Sequence, residues 1–347
     1  MKRYIHVGCG GWGNVWLNRI IPQVQDVAQC VAAVDINPEA LQKAGEVLGL
    51  PKEALYTDLA EALQNNEVDF VTISTSISSH LEVVKIVLQY GRGCHIVSEK
   101  PLAGNMEECV ELYRSVKKAG IKFAVTFSHR YEDDKQTFEH YLRSGAAGKV
   151  NYITSRISIA RNHGNSGHRI DPIEMLFIDG GIHNMDMIRA FTGSNAEEVY
   201  ADAWNVDWEH YEKGCASAFV QMKMENGVRA FLEYSFGGAY SYNGWTNEYF
   251  RAECEQESVE LDNRRIVTRS MPAFPEAEET ELALLEGEHW KHDLIIRQFV
   301  GWLDGGPAPD VTIDDSIHAM GMLYAVVESC KTGRPVPVKQ FMKDCGL

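Results

Sequence analysis

The sequence has no apolar run of transmembrane length, no Cys-x-x-Cys pair, no basic patch, no internal repeat and no low-complexity tract. Each absence removes a class of function. A spanning helix needs about 20 consecutive apolar residues, so no membrane partner is expected. The eight cysteines, at positions 9, 30, 94, 109, 215, 254, 330 and 345, lack metal-ligand spacing. They read as free, mostly buried thiols in a reducing compartment, and no metal is expected. Lys2-Arg3 is too short to hold a polyanion, and Arg264-Arg265 sits among acidic neighbours. With 49 Asp and Glu against 33 Lys and Arg, the formal net charge is -16. Such a chain repels nucleic acid and anionic lipid, so neither is an expected partner. Lys2-Arg3 would suit the start of a signal peptide, but the glycine-rich residues 8–14 follow in place of an apolar core. A cytoplasmic location is therefore expected.

What is present is the composition of a soluble globular protein, 45% hydrophobic and 24% charged over 347 residues. That length suits two domains better than one core. Residues 1–128 alternate short apolar runs with segments of helical period. Runs at 3–8, 31–35, 68–74, 94–98 and 121–127 are separated by helical segments such as 81–90 and 106–119. This alternation is the pattern of βαβ units on a parallel sheet. After Tyr131 the pattern changes. One helix is expected over 132–143. Long strand-like stretches follow, with a hairpin signal at Glu225-Asn226-Gly227. The fold class expected is α/β, with a dinucleotide-binding Rossmann domain over 1–128. An α+β domain with a large, mostly antiparallel open sheet is expected over 129–347. Its closing helices, near 289–303 and 314–330, are free to pack back on the first domain. The acidic segment 270–288, with two prolines, reads as a surface loop.

The chemistry begins at Gly8-Cys9-Gly10-Gly11-Trp12-Gly13. These residues follow an expected strand and open an expected helix, which raises a weak G-x-G-x-x-G signal to a dinucleotide fingerprint. Gly8 permits the tight turn, Gly10 admits a pyrophosphate, and Gly13 lets helix and strand pack closely. The helix start then offers unpaired N–H groups to phosphate. Asp35 ends the next strand, where a carboxylate accepts from ribose hydroxyls and repels a 2′-phosphate. Ile36 and Asn37 after it supply no cation. NAD is thus favoured over NADP. Asp35 is also read as a helix cap before Pro38. Trp12 and Trp16 are placed to line a cofactor cleft, with Trp16 better read as core.

Two further clusters carry reactive groups. Glu99-Lys100-Pro101 follows an expected strand, where ligands of open α/β sheets bind. Asp179 and His183 are four residues apart, so a helix would stack them on one face. A histidine beside a carboxylate suits a general base. The alternatives are a loop lysine in solvent, an N-cap aspartate and a core histidine.

In this order and spacing the motifs resemble the Gfo/Idh/MocA oxidoreductase family, in particular its inositol and sugar dehydrogenases. The carriers are Gly8-x-Gly10-x-x-Gly13, Ile73-Ser74-Thr75 leading to His80, and Glu99-Lys100-Pro101-Leu102-Ala103. Further along come Arg130-Tyr131, Gly148-Lys149-Val150, Asp179-x-Gly181-x-His183-x-x-Asp186 and 329–336. The resemblance implies cofactor contacts from Gly8, Gly10, Gly11, Trp12, Gly13, Asp35, Ser74, Thr75, His80, Glu99 and Lys100. It implies a catalytic group of Lys100, Asp179 and His183. His183 would take the proton of a secondary alcohol, Asp179 would orient His183 or bind the substrate, and Lys100 would polarise the oxygen. The carbinol hydride would pass to the nicotinamide of NAD. The substrate class implied is a polyol or sugar: a sugar, glycoside or cyclitol. The segment 156–169 is rich in Arg, His and Asn. Arg156, Asn162, His163 and His168, together with Lys100 and His183, are the candidate substrate contacts. Two other readings use the same sequence. One is a redox-neutral enzyme with tightly held NAD, and the other is a sugar-sensing regulator without catalysis. A homodimer or homotetramer through the second domain's sheet is expected.

Overall fold

The computed structural model describes residues 1–160, 177–208 and 215–347. The candidate substrate residues Asn162, His163 and His168 lie outside the described residues. The chain divides into two compact units. One holds Met1–Ser128 with His289–Ile317 and Gly346, and the other holds His129–Glu288 with His318–Cys345 and Leu347.

The first unit is built on six parallel strands in the order β3-β2-β1-β4-β5-β6. They are β1 (Lys2–Val7), β2 (Ala28–Val34), β3 (Leu55–Tyr56), β4 (Phe70–Ile73), β5 (His95–Ser98) and β6 (Phe123–Val125). The four residues of β4 and the three of β6 are all buried. Strands covered on both faces read as unbroken apolar runs, as they do here. The sheet reverses direction of growth between β1 and β4, which makes the carboxyl ends of those strands the binding crevice of this fold. Helix signals are local. Asn37 caps α2 (Pro38–Leu48) by accepting from the Glu39 N–H, and Gly49 ends it in a left-handed conformation. Asn105 caps α5 (Met106–Ala119) in the same way through Glu108. Helix α8 (Lys291–Leu303) sends Ile296 and Phe299 into the core formed by Tyr4, Trp16, Leu17 and Phe70.

Among the described residues, the second unit carries nine strands: β7 (Val150–Ala160), β8 (Ala196–Trp204), β9 (Ser217–Met224), β10 (Arg229–Gly238), β11 (Tyr249–Cys254), β12 (Ser258–Asp262), β13 (Arg265–Ala273), β14 (Glu276–Leu282) and β15 (Val336–Pro337). Their order in the sheet is β14-β13-β12-β11-β7-β10-β9-β8-β15. All described pairings are antiparallel except β7 (Val150–Ala160) with β10 (Arg229–Gly238). One face of this sheet packs on α6 (Asp133–Ser144) and α7 (Ile182–Thr192). Phe138, Phe191 and Phe250 meet there. On the other face of the sheet Phe219 stacks edge-on against Trp204 and tilts against Phe231, with Phe219 45% exposed.

Two expectations are corrected. Residues 270–288 are not simply a loop. They complete β13 (Arg265–Ala273) and form β14 (Glu276–Leu282), an edge hairpin. Arg265 pairs with Glu281 and Arg269 with Glu279 across it. Those charges, which suggested solvent, are cross-strand partners and guard a sheet edge. The eight thiols are free, yet only Cys9, Cys94 and Cys109 are fully buried, the other five being half-buried.

Candidate functional site

In the first unit the glycine-rich turn is shaped by what lies around each glycine. Gly8 has φ +95°, and a side chain there would strike Ser74 and Thr75 backbone atoms at 2.7–2.8 Å. A Cβ on Gly13 would lie 1.9 Å from the Gly8 carbonyl oxygen. These two glycines are needed by the protein itself. Gly10 and Gly11 are different, because a Cβ on either would meet nothing within 4 Å. The helix that starts at Gly11 has no side-chain cap. Its first N–H groups and the open space beside them suit a phosphate.

Asp35 closes the turn from the side. One carboxylate oxygen accepts from the Cys9 N–H at 2.6 Å and the other from the Asn37 N–H at 2.8 Å. Burial, aided by Asp35, pushes the Cys9 thiol up to about 12, so this cysteine is an inert packing group. At the end of β4, Ser74 donates to the Gly8 carbonyl at 2.7 Å. The Thr75 hydroxyl beside it is buried without a partner. An open glycine cradle, an uncapped helix start and an orphaned hydroxyl around one crevice fit a dinucleotide.

The loop after β5 is tied to this turn by Glu99. One of its carboxylate oxygens accepts from Trp16 Nε1 at 2.7 Å and Trp12 Nε1 at 2.8 Å, and lies 3.1 Å from His292 Nε2. Burial alone would raise the Glu99 carboxyl, but His292 and the two indoles outweigh it and hold it at about 2. Trp16 is core, whereas Trp12 keeps its ring 48% exposed. Glu99 therefore fixes the loop in which Lys100 follows. His80 is a second tie. Its Nδ1 lies 2.9 Å from the Pro101 carbonyl and its Nε2 3.3 Å from the Thr75 carbonyl. Both partners are acceptors. Burial lowers the pKa of this ring, and a neutral imidazole donates to one of them only, the nearer Pro101 oxygen.

In the second unit, α7 is preceded by a π-helical turn, Phe177–Gly181, that carries Asp179. The four-residue spacing of Asp179 and His183 thus spans a change of helix type. Asp179 is exposed, and His183, in the first turn of α7, is buried. The His183 ring lies flat against His129, with centroids 3.7 Å apart and planes 8° apart. His129 Nδ1 is 2.6 Å from Glu248 Oε1. Behind it the Lys135 ammonium is fully buried. It donates to Glu132 at 2.8 Å, Asp134 at 3.0 Å and the Thr246 carbonyl at 3.0 Å, with Glu248 Oε2 at 3.2 Å. Three N–H groups thus meet three acceptors, and the fourth oxygen is an ion pair. Burial would raise the Glu248 carboxyl, but His129 and then Lys135 hold it at about 2. Tyr234 reaches the same region from β10. Its hydroxyl is buried without a partner and fills the space a side chain on Gly180 would need. The Trp245 ring, 42% exposed, crowds the same space, 2.6 Å from where that side chain would begin.

The structure does not bring Arg156 to His183. Ser155 points to α7, where Asn184 donates to its hydroxyl at 2.7 Å. Arg156, the next residue on β7, takes the opposite face. It donates to Asn243 at 2.8 Å and lies 4.6 Å from the Tyr249 ring centre.

Two family models match the chain. The oxidoreductase family with an NAD-binding Rossmann fold covers residues 2–127, and the GFO/IDH/MocA C-terminal domain covers residues 136–260. The chain belongs to the Gfo/Idh/MocA oxidoreductase family. An uncharacterized protein, y4oX, of Sinorhizobium fredii is 32% identical over 98% of this chain and 97% of its own. The myo-inositol 2-dehydrogenase of Thermotoga maritima is 24% identical over 96% of this chain and 98% of its own. An Agrobacterium radiobacter oxidoreductase, solved in complex with NAD+, L-tartaric acid and magnesium, superposes with a TM-score of 0.82. It is 20% identical, with 98% of this chain and 99% of that one covered. The family's NAD-binding Rossmann domain is thus the first unit's parallel sheet. His129, Glu248, Lys135 and Tyr234 were missed by sequence reasoning. His129 had one available signal, its place just after β6, where strand ends carry chemistry.

Proposed function

We infer that this family member is an NAD-dependent dehydrogenase that oxidises a secondary hydroxyl of a sugar, glycoside or cyclitol. The observation that carries the reading is the pairing of a fitted dinucleotide crevice in one unit with a buried, carboxylate-backed histidine pair in the other. The named dehydrogenase relative supports the substrate class. Gly10, Gly11 and the helix start would hold the pyrophosphate, and Asp35 the adenosine ribose. A 2′-phosphate at Asp35 would meet a carboxylate and the exposed Ile36, and neither Ile36 nor Asn37 supplies a cation to balance it. This favours NAD over NADP. A bound nicotinamide would supply the acceptor for the carbinol hydride.

The catalytic group in this reading is Lys100, Asp179 and His183. His183 accepts the hydroxyl proton as the C–H bond breaks. Lys100, set by the Glu99 and His80 ties, steadies the negative charge that develops on oxygen. Asp179 orients His183 or takes a substrate hydroxyl. General-base help of this type is worth about 10²–10⁴ in rate. The same reading includes self-assembly through the sheet face that carries Phe219.

A panel of polyols, aldoses and glycosides with NAD, and in parallel with NADP, tests it by NADH or NADPH formation. At least one cyclic polyol or sugar should give NADH, with NADPH formation at least about tenfold slower. Substrate consumption without net NADH would contradict it and favour the redox-neutral reading.

A further inference from the structure

A tryptophan ring left partly in water forgoes much of the gain of burial, as Trp245 does at 42% exposed. Single exposed rings are common, so exposure alone decides nothing. Trp245 differs in where it is held. The loop between β10 and β11 brings it to the turn that precedes α7. There its Cη2 and Cζ3 atoms lie 2.6 and 2.8 Å from the place a Cβ on Gly180 would take. Only a glycine admits the ring so close to that backbone. Phe236, near the end of β10, supports it with centroids 6.3 Å apart and planes 43° apart. Tyr242 of the same loop goes elsewhere, with its ring centre 5.5 Å from the Arg156 guanidinium. The Trp245 ring is thus set against the residue that follows Asp179, whose side chain is exposed, and one helical turn before His183.

A fixed aromatic surface and a carboxylate on one turn ask for two kinds of ligand surface side by side. The ring covers C–H groups, and the carboxylate accepts from hydroxyls. A pyranose or cyclitol ring carries both already sorted, axial C–H groups on its faces and equatorial hydroxyls around its rim. An open-chain polyol turns its hydroxyls in every direction and must be ordered to offer a C–H face, which costs rotational freedom. We propose that Trp245 is a specificity-determining residue, whose indole receives the C–H face of a pyranose or cyclitol while Asp179 takes a rim hydroxyl. The site then accepts cyclic substrates in preference to open-chain polyols. This rests on the reading of Asp179 and His183 as part of the reacting group.

The test is fluorine NMR of the full chain with its seven tryptophans replaced by fluorotryptophan, the Trp245 signal being the one lost in Trp245→Phe. NADH is present throughout, so that an added alcohol binds without turnover. The probes are myo-inositol, methyl β-D-glucopyranoside and, as the open-chain control, sorbitol. At least one cyclic probe should move the Trp245 signal saturably, and sorbitol at equal concentration should not. Trp245→Ala should weaken binding of that cyclic probe about three- to tenfold, followed by saturation transfer to the probe. A Trp245 signal unmoved by both cyclic probes, an equal response to sorbitol, or unchanged affinity in Trp245→Ala would overturn the proposal. If that variant does not fold, the labelled wild type decides alone. Probes that move Trp245 yet never yield NADH when offered with NAD would sink the proposed reaction and leave this surface standing. NADH formed from a cyclic probe that leaves Trp245 unmoved would sink this proposal alone.

Discussion

Gly10 and Gly13 are three residues apart and meet opposite surroundings. A methyl group on Gly13 would collide with the Gly8 carbonyl, whereas one on Gly10 points into open space from a backbone any residue adopts, φ -81° and ψ -164°. The two substitutions should therefore separate folding from binding. Gly13→Ala should cost about 1–3 kcal/mol in urea unfolding. Gly10→Ala should leave stability within about 0.5 kcal/mol of wild type, yet weaken NAD binding by about tenfold or more in a fluorescence titration. Wild-type NAD affinity in Gly10→Ala would contradict the placement of the pyrophosphate. Glu99 makes the complementary point. Its charge serves two indoles and a histidine within the protein, so the acid before Lys100 acts by holding a loop.

At the level of elements, acid should unfold the protein through a few buried groups. Glu99 and Glu248 are each held at about 2, against an ordinary 4.5. Folded values below unfolded ones give stability that is present above pH 4.5 and lost as pH falls toward 2. Each carboxyl is worth on the order of 3 kcal/mol over that window. His6, buried between Thr72 and Ser74 and lowered by burial to about 4, adds a loss that begins below 6.5. Unfolding free energy measured by urea at stepped pH should thus fall from pH 6.5 downward and most steeply below 4.5. Glu99→Gln should start lower at pH 7 and fall less. The elements themselves were legible where pattern is local. The parallel strands read as apolar runs, and Pro38 marked the start of its helix, although the cap is Asn37 and not Asp35. The glycine spacing and Asp35 read as a crevice because both lie within one short strand–turn–helix–strand stretch, 2–35. The edge hairpin at 265–282 was not legible, because its glutamates look like solvent until Arg265 and Arg269 are seen opposite them. The His129–Glu248–Lys135 group was not legible either. It joins residues up to 119 positions apart through sheet and helix packing, which no local pattern encodes.

Over the whole molecule the net charge is -16, and one sheet face exposes Phe219 beside Trp204. An aromatic patch on an acidic chain is the surface through which self-assembly is expected. Phe219→Asp should shift the species seen by light scattering toward the monomer, and an unchanged mass would place assembly elsewhere. The two units carry different parts of one proposed reaction, cofactor binding in the first and proton transfer in the second, so a single measurement must read both. Such a measurement is deuterium transfer from the carbinol carbon of an accepted polyol to NAD, compared between wild type and His183→Asn. The account expects deuterated NADH from the wild type. It expects His183→Asn to bind NAD normally and to form that product about 10²–10⁴ times more slowly. Deuterium that returns to the sugar, or a His183→Asn rate equal to wild type, would contradict it.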